Sequence, residues 1–191
     1  MERRAFLKSI PIIGVAGGAS LLACSTGGGV GATDNGDLSG DNLILTQAAG
    51  REAEAIQTYN AAAQSGLITD QGVLNTAVAY RDHHVEHLEL FNELLVAGDG
   101  EEVILANFGA DSRINNVTNQ EEAVVLAMTL EMEAANSYFT SSIRDLQGPT
   151  AREVMGSIFP VEVSHFVTLK AALGRNPAID AAVFSDLTFG S

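Results

Sequence analysis

Glutamate and tyrosine recur at one spacing in two places: Glu52 precedes Tyr59 by seven residues, and Glu131 precedes Tyr138 by the same seven. Some thirty residues after each pair comes a short pattern ending in histidine, His84-x-x-His87 after the first and Glu162-x-x-His165 after the second. Carboxylates and imidazoles are the donors that suit iron, manganese and zinc. Residues three apart share one helix face, so each x-x-His pattern offers two donors side by side. On helices packed around one axis, Glu52, His84, His87, Glu131, Glu162 and His165 would converge, and two ions within a few ångströms could share bridging carboxylates. Iron or manganese is expected, with zinc as a further candidate.

The elements that must carry these residues are helical. Beyond residue 40 the chain is rich in Ala, Leu, Glu and Gln, poor in proline, and has no long alternation of apolar and polar residues. The pattern predicts helices from about Asp41 to Ser65, Thr69 to Ala97, Thr118 or Asn119 to about Gln147, and Thr150 to Leu173. Residues 101–118 form a longer connection with a short helix at Glu101–Asn107. Glu121 and Glu122 fall in a first helical turn, where negative charge is favoured. Pro160 lies inside the fourth helix and should bend it, because it lacks an amide donor.

Periodicity then separates inward from outward acids. With about 100° per residue, Leu45, Ala49, Glu52, Ile56, Tyr59 and Ala63 form one stripe, and Glu54 lies opposite. Val124, Met128, Glu131, Ala135 and Tyr138 form another, with Glu133 pointing away. His84 and His87 share a face with Val73, Ala77, Tyr80, Leu88, Phe91 and Leu95, whereas Glu86 does not. His83 sits at the margin, a surface residue or an alternative ligand. Glu162 and His165 share a face with Ile158, Phe166, Leu169 and Leu173. A lone carboxylate on an apolar face is costly unless paired or metal-bound. Three inward carboxylates and three inward imidazoles need a shared reason: metal ions supply one, and Glu–His pairs that satisfy each other without metal supply another. Tyr59 and Tyr138 either pack in the core or hydrogen-bond to the ligands.

The chain opens Met-Glu-Arg-Arg-Ala-Phe-Leu-Lys, which looks like a twin-arginine export signal. The apolar run from Ile10 to Ala23 is too short for a stable membrane span and reads as a signal h-region. It ends Leu21-Leu22-Ala23-Cys24, which resembles a lipoprotein cleavage site. Residues 1–23 are therefore expected to be a signal peptide, with Cys24 the lipidated first residue of the mature chain. Residues 24–40 read as a flexible linker, 41–175 as one domain, and 176–191 as a tail. Cys24 is the only cysteine, so an intramolecular disulfide is ruled out. The expected location is outside the cytoplasm, anchored to the outer face of the cytoplasmic membrane or in the periplasm.

Formal net charge is −14 over 191 residues. Such a surface repels nucleic acid and anionic headgroups and attracts cations. No basic cluster or aromatic platform argues for nucleic-acid binding.

Taken together, these motifs resemble the ferritin-like superfamily. Glu52-Ala-Glu-Ala-Ile-Gln-Thr-Tyr59 is similar to the first helix of bacterioferritin, and Glu131-Met-Glu-Ala-Ala-Asn-Ser-Tyr138 repeats it. Glu162-x-x-His165 is similar to the fourth-helix motif, and His87 matches the second-helix histidine. The nearest overall resemblance is to exported ferritin-like proteins related to desiccation-associated proteins. It implies an all-α, antiparallel four-helix bundle with a long crossover between helices 2 and 3. It also implies Glu162 as a bridging ligand, Glu52 and Glu131 as terminal or semi-bridging ligands, and His87 and His165 as terminal ones. Where the family has a second bridging glutamate this chain has His84, which poses an asymmetric pair, a single ion, or zinc or manganese against a diiron pair.

What the resemblance implies for activity is oxidation of Fe(II) or consumption of peroxide. A metal-binding or stress-protective envelope protein without turnover, and a metal-free interaction bundle, are the alternatives. Bundles of this type often pair, so a homodimer is one expectation. The sequence names no redox partner.

Overall fold

In a computed structural model the described residues are 38–176, and they form an all-α four-helix bundle. The expected signal peptide, Cys24, most of the linker and nearly all of the tail lie outside them. The helices are α1 (Leu38–Gln64), α2 (Gln71–Ala97), α3 (Gln120–Thr140) and α4 (Pro149–Ala172). No helix among the described residues is long and apolar enough to cross a membrane.

Local chemistry sets the helix ends. Asp70 caps α2, its side chain accepting from the amides of Gly72 at 2.8 Å and Val73 at 3.1 Å. Asn119 caps α3 by accepting from Glu122 N at 3.0 Å, while the Glu122 carboxylate returns to Thr118 N at 2.8 Å. Gly66 follows α1 at φ 74°, a left-handed conformation that suits glycine.

Hydrogen bonds between helix ends give the topology. The start of α1 meets the end of α2, Asn42 donating to Gly98 O at 2.8 Å. At the opposite end, Gln120 Oε1 at the start of α3 accepts from Thr69 N and Asp70 N at 3.0 and 2.9 Å. Thus α1 and α2 are antiparallel, whereas α2 and α3 run the same way. The crossover between them must therefore travel the length of the bundle. It is pinned to α2 by Asn92, which bonds both Val103 N and Val103 O at 2.8 and 3.1 Å. It is pinned to α1 by Thr58 Oγ1, which accepts from Asp111 N at 2.8 Å. Gly50 lets Phe108 of this segment lie close to α1, since a Cβ there would meet its ring at 3.2 Å.

Several boundaries differ from the sequence reading. Helix α1 begins at Leu38, so the last three residues of the expected linker form its first turn. The short helix expected at Glu101–Asn107 is replaced by two 3-10 turns, Leu105–Asn107 and Ser112–Asn116. Helix α3 is α-helical only to Thr140 and then widens into a π turn, Ser141–Asp145, closed by Leu146 N to Ser141 O at 3.0 Å. Pro160 sits inside α4 without ending it.

The core is built from the inward stripes. Leu45, Ala49, Ile56, Phe91, Leu95, Met155 and Ile158 are all essentially fully buried. Each larger one contributes about 1.5–3 kcal/mol relative to exposure. One buried charge holds an end of this core. Asp41 is fully buried, and its carboxylate accepts from Gln147 N at 2.9 Å and Gly148 N at 2.7 Å. Gly148 is the cap of α4 and has no side chain with which to do this itself. Asp41 thus supplies from α1 the negative charge that a helix N-terminus favours. Hydrogen bonds to charged groups contribute about 1.5–3 kcal/mol. Asp41→Ala should therefore lower unfolding free energy by about 3 kcal/mol, read from the urea midpoint, with Asp41→Asn losing less. A midpoint equal to wild type would show that this cap is dispensable.

Candidate metal centre

The inward faces of the four helices bring the six sequence-predicted residues together midway along the bundle. Glu52, Glu131, Glu162, His84 and His165 are at most 2% exposed, and His87 is 6% exposed. On each helix the apolar stripe that seats the core also carries the polar group inward. Glu54 is exposed, and Glu133 is partly exposed and paired with Arg113, as their opposite facing requires.

His84 lies at the centre. Its Nδ1 is 2.7 Å from Glu52 Oε2 and its Nε2 is 3.3 Å from Glu131 Oε1. His165 Nδ1 stands 3.2 Å from Glu131 Oε2 and 3.4 Å from Glu162 Oε2. His87 Nδ1 stands 2.9 Å from Glu162 Oε1 and 3.6 Å from Glu52 Oε2. The two tyrosines cross the bundle symmetrically: Tyr59 O–H on α1 donates to Glu131 on α3, and Tyr138 O–H on α3 donates to Glu52 on α1. Both tyrosines therefore hydrogen-bond to carboxylates of the cluster.

Two side chains beyond the six, Tyr80 and the marginal His83, belong to the same cluster. His83 is only part-buried, yet its Nδ1 is 2.8 Å from Nε2 of His165. Tyr80 stacks on the His165 ring with centroids 3.8 Å apart and 22° between planes. Together they fix the plane of the His165 ring while its Nδ1 faces Glu131 and Glu162. Tyr80 had shown only as a core position, and His83 fell at the edge of its stripe. The signal that could have found them was their spacing, Tyr80 four residues before His84 and His83 four before His87, on neighbouring turns of the same helix.

Charge is compensated inside the cluster. Burial works against the Glu52 carboxylate, but the imidazoles of His84 and His87 outweigh it and hold its pKa at about 2. Burial likewise opposes charge on Glu131, and His84 and His165 bring it well below the ordinary carboxylate range. Burial also disfavours charge on His87, but its contacts with Glu162 and Glu52 push it up to about 9. His84 rises well above its usual value against burial, through Glu131 and Glu52. Glu162 goes the other way, raised by burial and by neighbouring Glu131.

The donor geometry fits metal. Within 4.8 Å of one another lie ligand atoms of Glu52, His84, His87 and Glu162, and likewise of His84, Glu131, Glu162 and His165. His84 and Glu162 are common to both groups. His87 Nδ1 and both Glu162 oxygens are buried without a hydrogen-bond partner. The 2.9 Å approach of His87 to Glu162 is an ionic contact whose angle is wrong for a hydrogen bond. Buried polar atoms seldom go without a hydrogen bond, and these three lie among the nitrogen and carboxylate donors of the cluster.

The described family model of a ferritin-like domain matches residues 40–175. No curated protein and no solved structure matches the chain.

The compensation sets a pH window for the metal-free protein. Glu52 is depressed from 4.5 to about 2, so its stabilisation is complete above pH 4.5 and is lost as pH falls toward 2. His87 is raised from 6.5 to about 9, so its stabilisation is complete below pH 6.5 and is lost as pH rises toward 9. Chelator-treated protein should be most stable between these limits. Its melting temperature should fall by several degrees from pH 6 to pH 9, a loss on the order of 3 kcal/mol. A flat melting profile over that range would contradict the charge assignment.

Proposed function

Because the chain belongs to the ferritin-like family, we propose that its cluster of three glutamates and three histidines is a resident di-metal centre. The observation that carries this reading is the trio of buried ligand atoms that make no hydrogen bond, His87 Nδ1 and the two oxygens of Glu162. Glu162, set between His87 on one side and His165 on the other, would help hold both ions. Glu52 and His87 would hold one ion, and Glu131 and His165 the other. His84 would be available to both, since its two nitrogens face Glu52 and Glu131.

Iron or manganese held there would supply electron exchange with dioxygen, peroxide or Fe(II), whereas zinc would bind without redox turnover. The chain's own residues do the rest. Tyr59 and Tyr138 hold one oxygen each of Glu131 and Glu52 by hydrogen bonds, leaving the other oxygen to face inward. Hydrogen bonds of this kind orient metal ligands and tune their basicity. Tyr80 and His83 orient His165. Burial excludes bulk water, which strengthens every electrostatic interaction inside.

A metal-free polar bundle is the second reading, and charge compensation favours it: three imidazoles stand against three carboxylates, so the cluster tolerates the absence of an ion. Metal content separates the two. Glu162→Ala should remove most of the bound metal, whereas Glu133→Ala, on the outer face, should keep it. Elemental analysis of protein from its native host should give about two irons or manganeses per chain. Equal metal content in the two variants would exclude this assignment of ligands.

The same reading extends to location. Export through the twin-arginine route and a diacylglyceryl group on Cys24 would hold the bundle at the outer face of the cytoplasmic membrane, with residues 25–37 as its tether. Two acyl chains anchor firmly where one is marginal. Cys24→Ala should shift the protein from the detergent phase to the aqueous phase on phase partitioning, or block its processing. Unchanged partitioning would refute the anchor.

A further inference from the structure

The seam between α1 and α3 contains a cavity of about 50 Å³, room for roughly one to three water molecules. Its inner wall includes Glu52, His84 and Glu131, and its outer wall includes Arg51, Glu54, Arg113 and Glu133. A wider groove of about 570 Å³ runs outside, along the first half of α3, and Arg113 lines it too. Arg113 is the one side chain common to the two spaces, so it stands between solvent and the buried ligands.

Its guanidinium makes two forks. Nη1 and Nη2 each donate to a Glu133 oxygen at 2.9 Å. Nε and Nη2 donate to the Asp111 carboxylate at 3.0 and 2.7 Å. The fork to Glu133 joins two side chains that are 43% and 42% exposed, whereas the Asp111 side chain is 12% exposed. Exposed ion pairs hold weakly. Arg113 can therefore leave Glu133 while it stays tethered to Asp111, itself fixed to α1 through Thr58.

The sequence repeats itself at this seam. Glu52-x-Glu54 on α1 and Glu131-x-Glu133 on α3 each put one carboxylate on the buried floor and the next on the rim. Released from Arg113, Glu133 would stand with Glu54 as a pair of carboxylates at the mouth, above two more on the floor. These four carboxylates outnumber Arg51, which lines the same cavity, so the path draws cations, and the acidic surface raises their local concentration.

We propose that the α1–α3 seam is the route by which a divalent cation reaches the centre, with Glu54 and Glu133 as staging carboxylates and Arg113 as a latch. This rests on the metal-site reading. The test follows Co(II) uptake into the chelator-treated full chain by stopped-flow absorbance, in wild type, Arg113→Gln and Glu54→Gln, at low and at high salt. Arg113→Gln should take up Co(II) about five-fold faster, and Glu54→Gln about three-fold slower at low salt. Final stoichiometry should be the same in all three. Should Arg113→Gln fail to fold, the exposed Glu54→Gln still decides, since slowing without loss of sites is what a staging residue alone produces. No Co(II) bound by wild type at equilibrium would overturn the metal-site reading itself. Full binding at one common rate would leave the metal site standing and overturn the route.

Discussion

Everything in this bundle answers to the burial of three carboxylates and three imidazoles at its centre. An isolated carboxylate moved from water to such a place would cost several kcal/mol or would take up a proton. Here each charge has its opposite within about 4 Å, His84 against Glu52 and Glu131, His87 and His165 against Glu162. The helices can pack as tightly as their apolar residues demand because the polar layer is internally neutral. The same layer is poised for cations, since an ion can take the place that imidazole protons hold.

The arrangement is built twice. Tyr59 reaches from α1 to Glu131 on α3, and Tyr138 reaches from α3 to Glu52 on α1. Each tyrosine therefore spans the two halves of the chain, and the symmetry of the sequence becomes symmetry of contact. It is broken at a single residue of the cluster. Where the second half supplies Glu162, the first supplies His84, a group that enters a shared position with two nitrogens rather than two oxygens on one carbon.

What the sequence made legible was direction. One step of two residues on a helix turns a side chain to the other side, and this alone separated Glu52 from Glu54 and Glu131 from Glu133. The fold class followed from the same periodicity. What it hid was long-range. Asp41 looked like the first residue of a helix, and only the return of the chain at Gln147 and Gly148 makes it a buried cap. Arg113 lies in an irregular connection with no period to read, and its role depends on Glu133, which comes close only when the crossover lies along the bundle. His83 sits between the inward and outward faces, where a rotation of a few tens of degrees decides its partner. The π turn after Thr140 is equally silent, because Ser141–Asp145 has the composition of an ordinary helix end.

These hidden features share a cause. The crossover must run the full length of the bundle, since α2 and α3 point the same way. In doing so it passes the α1–α3 seam, which faces the buried carboxylates. A connection that only joined two helices could be short and polar anywhere along its path. This one is fastened to α2 at Asn92 and to α1 at Thr58, and between those fixings and α3 it delivers one arginine to the rim of the cavity. The topology that brings four helices around the ligands thus also decides which segment covers them. Access to the centre is set by a residue outside all four helices.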